Sequence, residues 1–459
     1  MIFGIYVLGG RGMNKKNTKI RVYETKNEDN MLIKKEDIAW GRAEKSENTI
    51  CINDKKTYQT IDGFGASFTD ASAYLVHEVL GEAERKIVMD KLFSDEKGIG
   101  LSFVRQPMGA SDFACSIYSY QDTPNNEDDF ELNYFTIEHD KKYILPLLKE
   151  MMTINPKVRL MATPWSAPAW MKTTNHMIGG TLREDCYEVF AEYFVKFIRA
   201  YEAEGVPMYA ITPQNEPMFV PHHYPGMKFE AKQEAMFIKN HLGPRFKAEK
   251  IDTKILCYDH NWDIPEYPLE VLNEAGEYVN GVAWHVYAAD PSAQSLVFNQ
   301  FKDKEVYYTE ASGGQWIAPF DNAFSSMMRT NIGTLRNHSK TIVLWNIALD
   351  ENNGPTVPGF GQSTCRGLLK INQQTKEVTY NLDYYALAHF SQFVKQGAKR
   401  IESNEIEGIT NVAFKNLDGT IVLVISSNVE DGREIKVAYN NKYISYKLAG
   451  KAAVTLVWE

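Results

Sequence analysis

Residues 209–219 read YAITPQNEPMF. Tyr209 to Thr212 is an apolar run of strand length. Pro213 and Pro217 mark its end, because proline has no N–H to give to a β-ladder. Between the prolines stand an amide and a carboxylate, Asn215 and Glu216. A carboxylate just past the C-terminal end of a strand sits where α/β sheets and barrels carry their chemistry.

The same unit recurs along the chain. Apolar runs appear at 61–68 (IDGFGASF), 102–108 (SFVRQPM), 158–165 (VRLMATPW), 254–259 (KILCYD), 281–287 (GVAWHVY), 306–311 (VYYTEA) and 341–349 (TIVLWNIAL). With 209–212 they make eight. Segments of helical period separate them. Tyr187, Phe190, Phe194, Phe197, Ile198 and Tyr201 fall on one helix face, and Ile137, Ile144, Leu147, Leu148 and Met151 on another. Strand then helix, eight times over, predicts a parallel (β/α)8 TIM barrel spanning residues 61–395.

Outside that span the period changes. GTIVLVISSNV, REIKVAYNN, YISYKLAG and AAVTLVWE alternate in twos between Gly, Asn and Asp turns, as antiparallel strands do. KIRVYE at 19–24 reads the same way. Residues 18–60 and 396–459 are therefore expected to pair into one side β-sandwich built from both ends of the chain.

Composition excludes several partners. A net charge of −9 argues against nucleic acid and anionic membrane. No run approaches the ~20 apolar residues of a membrane span. The N-terminus MIFGIYVLGGRG lacks a basic region and a cleavage site, so no signal peptide is expected, and Met13 is a second candidate start. The five cysteines (51, 115, 186, 257 and 365) are scattered without CxxC. That fits reduced, mostly buried thiols and a cytoplasmic protein. The 25 Tyr, 23 Phe and 8 Trp admit a carbohydrate site, since sugars lie against aromatic faces.

Polar groups end the predicted barrel strands. Arg105 and Asp112 follow the second, Trp165 ends the third, and Asn215 and Glu216 follow the fourth. His285 and Tyr287 close the sixth, Glu310 the seventh and Trp345 the eighth. Parallel strands bring all of them to one face. Glu216 and Glu310 lie three strands apart on a closed ring and face each other across its mouth. Glycoside hydrolysis needs such a pair. Arg105 is expected to pair with Asp112 or a catalytic carboxylate. His222 and His223 lack the HExxH spacing, no GxSxG occurs, and no phosphate loop is present, so neither metal nor cofactor is expected.

IDGFGASFTDAS, RQPMGASDFACSIYSYQDTP, MATPWSAPAWMKT, TPQNEP, WHVY, YTEAS and LWNIALD resemble, in order, the motifs of glycoside hydrolase family 30, closest to its glucosylceramidase-like branch. The resemblance implies a TIM barrel with a side β-sandwich and retaining, exo-acting hydrolysis of β-D-glucosides. It implies Glu216 as acid/base and Glu310 as nucleophile. It implies Asp112, Trp165 and Trp345 as grips on the sugar, Asn215 as a partner of its 2-hydroxyl, and His285, Tyr287 and Arg105 as the shell around the carboxylates. β-Xylosidase, β-fucosidase and β-1,6-glucanase activities, or an inactive carbohydrate-binding relative, are the alternatives on this scaffold. Trp316 and the HHYPG segment at 222–226 match no motif. The charge of Glu310 is expected to hold Glu216 protonated.

Overall fold

The structure is a computed structural model that describes residues 19–42, 47–317 and 320–459. The segment carrying the two candidate starts and the reading of its leader character lies outside them. Eight parallel strands form the barrel: β1 (Gly63–Ser67), β2 (Phe103–Pro107), β3 (Arg159–Thr163), β4 (Ala210–Ile211), β5 (Lys254–Asn261), β6 (Gly281–His285), β7 (Glu305–Glu310) and β8 (Thr341–Asn346). They pair in chain order, and β8 pairs with β1. Closure between β7 and β8 uses a single parallel bridge, Val306 to Ser339. Hydroxyls complete the seam: Tyr308 N–H donates to Ser339 Oγ at 3.0 Å, and Thr341 Oγ1 donates back to Tyr308 O at 3.0 Å.

Seven strands each send one side chain into a central layer: Phe103, Met161, Ala210, Leu256, Ala283, Tyr307 and Val343. This fills the barrel and leaves only its rim for chemistry. The helix Tyr187–Ala203 buries every residue of its predicted stripe. The other predicted stripe is shorter than expected, because its helix runs only from Ile144 to Ile154. Ile137 is buried in the preceding turns. The chain turns there because the Asp140 carboxylate takes hydrogen bonds from three hydroxyls, those of Tyr118, Tyr120 and Tyr201.

Nine further strands form one sheet that folds around its own core. Arg21–Thr25 pairs antiparallel with Ala453–Trp458, and Thr49–Thr60 pairs antiparallel with Lys399–Ser403. One pairing is parallel, between Thr49–Thr60 and Arg433–Tyr439. The five cysteines are free thiols. They are less buried than composition suggested: Cys186 and Cys257 are enclosed, Cys51 and Cys365 are partly covered and Cys115 is exposed. Cys51 points away from the sandwich core that its neighbours Ile50 and Ile52 enter, and Cys115 and Cys365 lie on a loop and a short strand outside the buried core. Among the described residues, no helix is long and apolar enough to cross a membrane.

His389 joins the two units. It sits on the helix Leu382–Ser391, fully buried, between the first and last strands of the sandwich. Thr455 Oγ1 donates to the His389 carbonyl, so the imidazole Nδ1–H donates to Thr455 Oγ1 at 2.8 Å. Nε2 then accepts from the Thr25 hydroxyl at 2.9 Å. Burial pushes the imidazole down to about 3. The unfolded chain, with an ordinary histidine near 6.5, therefore binds the extra proton first, and stability falls as pH drops below that value. Between about pH 7 and pH 5 this residue should cost the fold about 2 kcal/mol. Denaturant titrations of wild type and His389→Gln should show a shallower acid dependence in the variant; equal slopes would refute the assignment.

Candidate active site

The site residues stand where the strands lose their regular register. Pairing shifts between Tyr258 and His260 on β5, between Trp284 and His285 on β6, and between Leu344 and Asn346 on β8. Such irregularities re-aim side chains at barrel rims. Tyr258 and Asp259 take φ of 78° and 52°, and Glu216, just beyond β4, takes 44°. A left-handed backbone at non-glycine residues costs about 1–3 kcal/mol each and persists where surrounding contacts enforce it. Glu216 is held by its own N–H, which donates to Asp259 O at 3.0 Å.

Arg105 lies at the centre, wholly buried. Its Nη1 donates to Glu310 Oε2 at 2.6 Å, and its Nη2 donates to Asn215 Oδ1 and Asp259 Oδ2, both at 2.7 Å. Asp112 is not its partner. The acid that pairs with Arg105 besides Glu310 is Asp259, at the end of β5. That strand end is polar like the others, and its DHN sequence was the signal available for it. Burial alone would lower Arg105, but Asp259 and Glu310 outweigh it and raise the guanidinium. Asp259 is buried too, yet Arg105 and His285 hold its carboxyl far below the usual carboxylate range.

Trp165 and Trp345 stack with centroids 4.8 Å apart and planes 16° from parallel. The Arg105 guanidinium lies 4.8 Å from the Trp165 ring and 5.5 Å from that of Trp345. A desolvated cation–π contact of this kind contributes about 2 kcal/mol. Trp345 lines the cavity, while Trp165 packs behind it.

The cavity holds about 370 Å³, and Glu216 and Glu310 both line it. One oxygen of each and a ring nitrogen of His285 all lie within 4.8 Å of one another. Both Glu310 oxygens accept hydrogen bonds, Oε2 from Arg105 and Oε1 from the Tyr287 hydroxyl at 2.9 Å. That is the bonding pattern of a carboxylate. His285 is enclosed, with Nε2 3.0 Å from Asp259 Oδ1 and Nδ1 3.0 Å from Glu216 Oε1. The same Nδ1 is 3.8 Å from Glu310. Burial works against its charge, but Glu310 and Asp259 raise it to about 9.

The expectation for Glu216 is modified by this neighbour. Burial pushes its carboxyl up, but the His285 hydrogen bond and charge outweigh burial and leave it below the ordinary glutamate value. Glu310 is raised, by burial first, with His285 and Arg105 opposing. Asp112 also lines the cavity, with Oδ1 unpartnered, and burial followed by the Glu310 charge pushes it up to about 8.

Among the described residues, Glu216, His285 and Glu310 are the group that could offer ligands to a metal. Their atoms are already committed, and the Arg105 guanidinium beside Glu310 supplies the positive charge an ion would bring. The donor set fits a hydrogen-bonded carboxylate pair better than a metal. His222 and His223 merely neighbour each other, with ring centroids 6.5 Å apart. Sequence reasoning had no place for Phe219, Tyr224, His260, Asn261 or Trp316, all of which line the cavity. His260 and Asn261 end β5 beyond its register shift, and the other three come from loops whose reach is set by folding.

Comparison with known proteins agrees with this geometry. The Glycosyl hydrolase family 30 TIM-barrel domain matches residues 61–394, and the family's beta sandwich domain matches residues 397–456. An endo-1,6-beta-D-glucanase of Neurospora crassa is 35% identical over 402 residues, covering 84% of this chain and 82% of that protein. The lysosomal acid glucosylceramidase of Mus musculus is 30% identical over 413 residues, covering 83% of this chain and 78% of that protein. A solved endo-beta1,6-glucanase is 34% identical with a TM-score of 0.87, covering 96% of this chain and 99% of that one. With a carboxylate pair at the mouth of an eight-stranded barrel and both family domains matched along it, the chain belongs to glycoside hydrolase family 30 and is a glycoside hydrolase.

Proposed function

We propose that the chain is a retaining hydrolase of β-glucosidic bonds whose substrate is a β-1,6-linked glucan cleaved within the chain. The observation that carries the retaining mechanism is the approach of Glu216 and Glu310 to within 4.8 Å. Retaining enzymes hold their carboxyl groups about 5–5.5 Å apart, and inverting ones leave room for a water between them. The choice of β-1,6-glucan over the exo-acted β-glucoside first expected is supported by the endo-1,6-glucanase relatives at 32–35% identity. A glucosylceramide substrate is the second reading, favoured by the glucosylceramidase matches at 30–32%.

Glu310, ionised and held by Arg105 and Tyr287, attacks the anomeric carbon while the bond to the leaving oxygen breaks. Glu216 gives that oxygen its proton. In the free site the proton is shared between Glu216 and His285, and the His285 side holds it. A sugar filling the cavity expels the water that supports this ion pair, and a dry site favours the neutral pair, with the proton on Glu216. The glycosyl–Glu310 ester then forms. Its formation removes one negative charge, and Glu216, now ionised, takes a proton from water as the water oxygen attacks the ester-bound carbon. That step releases sugar of the original configuration and restores the Glu310 carboxylate.

Incubation with β-1,6-glucan should release a ladder of oligosaccharides, each first appearing as the β-anomer by proton NMR. Glucose as the sole early product would point to exo action, and an α-anomer would exclude retention.

Glu310→Gly should lose at least about four orders of magnitude in kcat. Azide should partly restore turnover and yield the α-glucosyl azide, because the anion enters the space the carboxylate leaves. Glu216→Gly with azide should yield the β-azide instead. Exchange of the two outcomes would reverse the roles.

His285 lowers both carboxyls. Removing its charge in His285→Asn should therefore move the acidic limb of the kcat/KM bell to higher pH, because Glu310 loses a cation that lowers it. The alkaline limb should move to lower pH, because the catalytic proton then sits on Glu216 alone and no longer on an imidazole raised to about 9. An alkaline limb left in place by the substitution would contradict the shared-proton arrangement.

A further inference from the structure

We propose that His260 and Asn261 form a binding site for the hydroxyls of a carbohydrate leaving group, a sugar ring on the far side of the scissile bond from the one Glu310 attacks. The proposal rests on Glu216 being the group that protonates the leaving oxygen. The three residues that end β5 divide their work. Asp259 turns inward to Arg105 and His285, while the register shift beside it sends His260 and Asn261 to the cavity that Glu216 and Glu310 share.

His260 is 6% exposed, and its Nδ1 is fully enclosed with no partner. Its Nε2 has no partner among the described residues either and is the nitrogen left to face the cavity. Burial keeps the ring neutral by pushing it below the ordinary histidine value. An enclosed lone pair without a donor is tolerated better than an enclosed N–H without an acceptor. The proton therefore sits on Nε2, pointing a donor at the cavity. Asn261 is fixed on its other side: Oδ1 accepts from Tyr287 N–H at 3.1 Å, and its carbonyl accepts from the Tyr258 hydroxyl at 2.5 Å. That leaves the Nδ2 donors uncommitted.

Two donors beside Glu216 thus wait for acceptors that the described residues do not supply. Phe219 and Trp316, 48% and 52% exposed, add aromatic faces to the same cavity. A pyranose offers hydroxyl oxygens to the donors and C–H faces to the rings. A hydrocarbon aglycone would satisfy the rings and leave both donors unpaired. Sites built around donors reject ligands without matching groups.

The test compares kcat/KM for a β-1,6-linked glucose trisaccharide with that for 4-nitrophenyl β-glucoside, whose leaving group has no sugar hydroxyls. His260→Phe keeps a planar aromatic ring and removes both nitrogens. It should lower the trisaccharide-to-aryl ratio at least tenfold, by raising KM and lowering kcat for the trisaccharide. Asn261→Ala should lower the same ratio and carries the test if His260→Phe does not fold. An unchanged ratio, or equal losses on both substrates, would overturn the proposal. Failure of the underlying reading shows separately, as a Glu216→Gln variant that still cleaves the trisaccharide.

Discussion

A single buried cation organises this active site. Arg105 carries a full positive charge in an enclosed position, which is tolerable only because three oxygens from three other strand ends converge on its nitrogens. Those oxygens belong to Glu310, Asn215 and Asp259, so the guanidinium sets the spacing of β4, β5 and β7 around β2. Two stacked tryptophans cover its face. Removing Arg105 would leave two buried carboxylates with only His285 as counter-charge, and breaking such a buried pair costs roughly 3–5 kcal/mol. The charge of Glu310 and the geometry of the rim are therefore one problem with one solution.

Asp259 carries that solution one step further. It takes Arg105 on one oxygen and His285 on the other. His285 in turn reaches Glu216, so a continuous chain of polar contacts runs from Glu310 through Arg105, Asp259 and His285 to the second carboxylate. Protonation of one carboxyl is felt at the other along this chain as well as across the cavity. The two carboxylates are thus coupled through the protein's own side chains.

Loop positions around the cavity are held by similar means. Lys172 is buried, with Nζ donating to Ser166 Oγ, Met177 O and Gly226 O at 2.7–2.8 Å. It ties the loop after Trp165 to the loop that carries Tyr224. Burial pushes this amine down to about 7. No carboxylate is needed, because three oxygens satisfy its three donors. Left-handed backbone at Glu216, Tyr258 and Asp259 shows the same economy: contacts from neighbours, rather than local preference, hold the residues at and just behind the cavity.

The eight apolar runs, the prolines around NEP and the alternating strands at the chain ends were enough to read the barrel, the side sandwich and the two carboxylates. Those features are local: strand burial and proline's missing N–H depend on nearest neighbours in the chain. Tertiary structure alone decided who faces whom. Arg105 pairs with Asp259 rather than Asp112, and His285 lies against Glu216 closely enough to lower it, where Glu310 across the cleft was expected to raise it. Trp165 stands behind Trp345, and His260 and Asn261 enter the cavity. Each outcome turns on a one-residue shift of register at a strand end, and such a shift follows from closing the ring, not from the residues beside it.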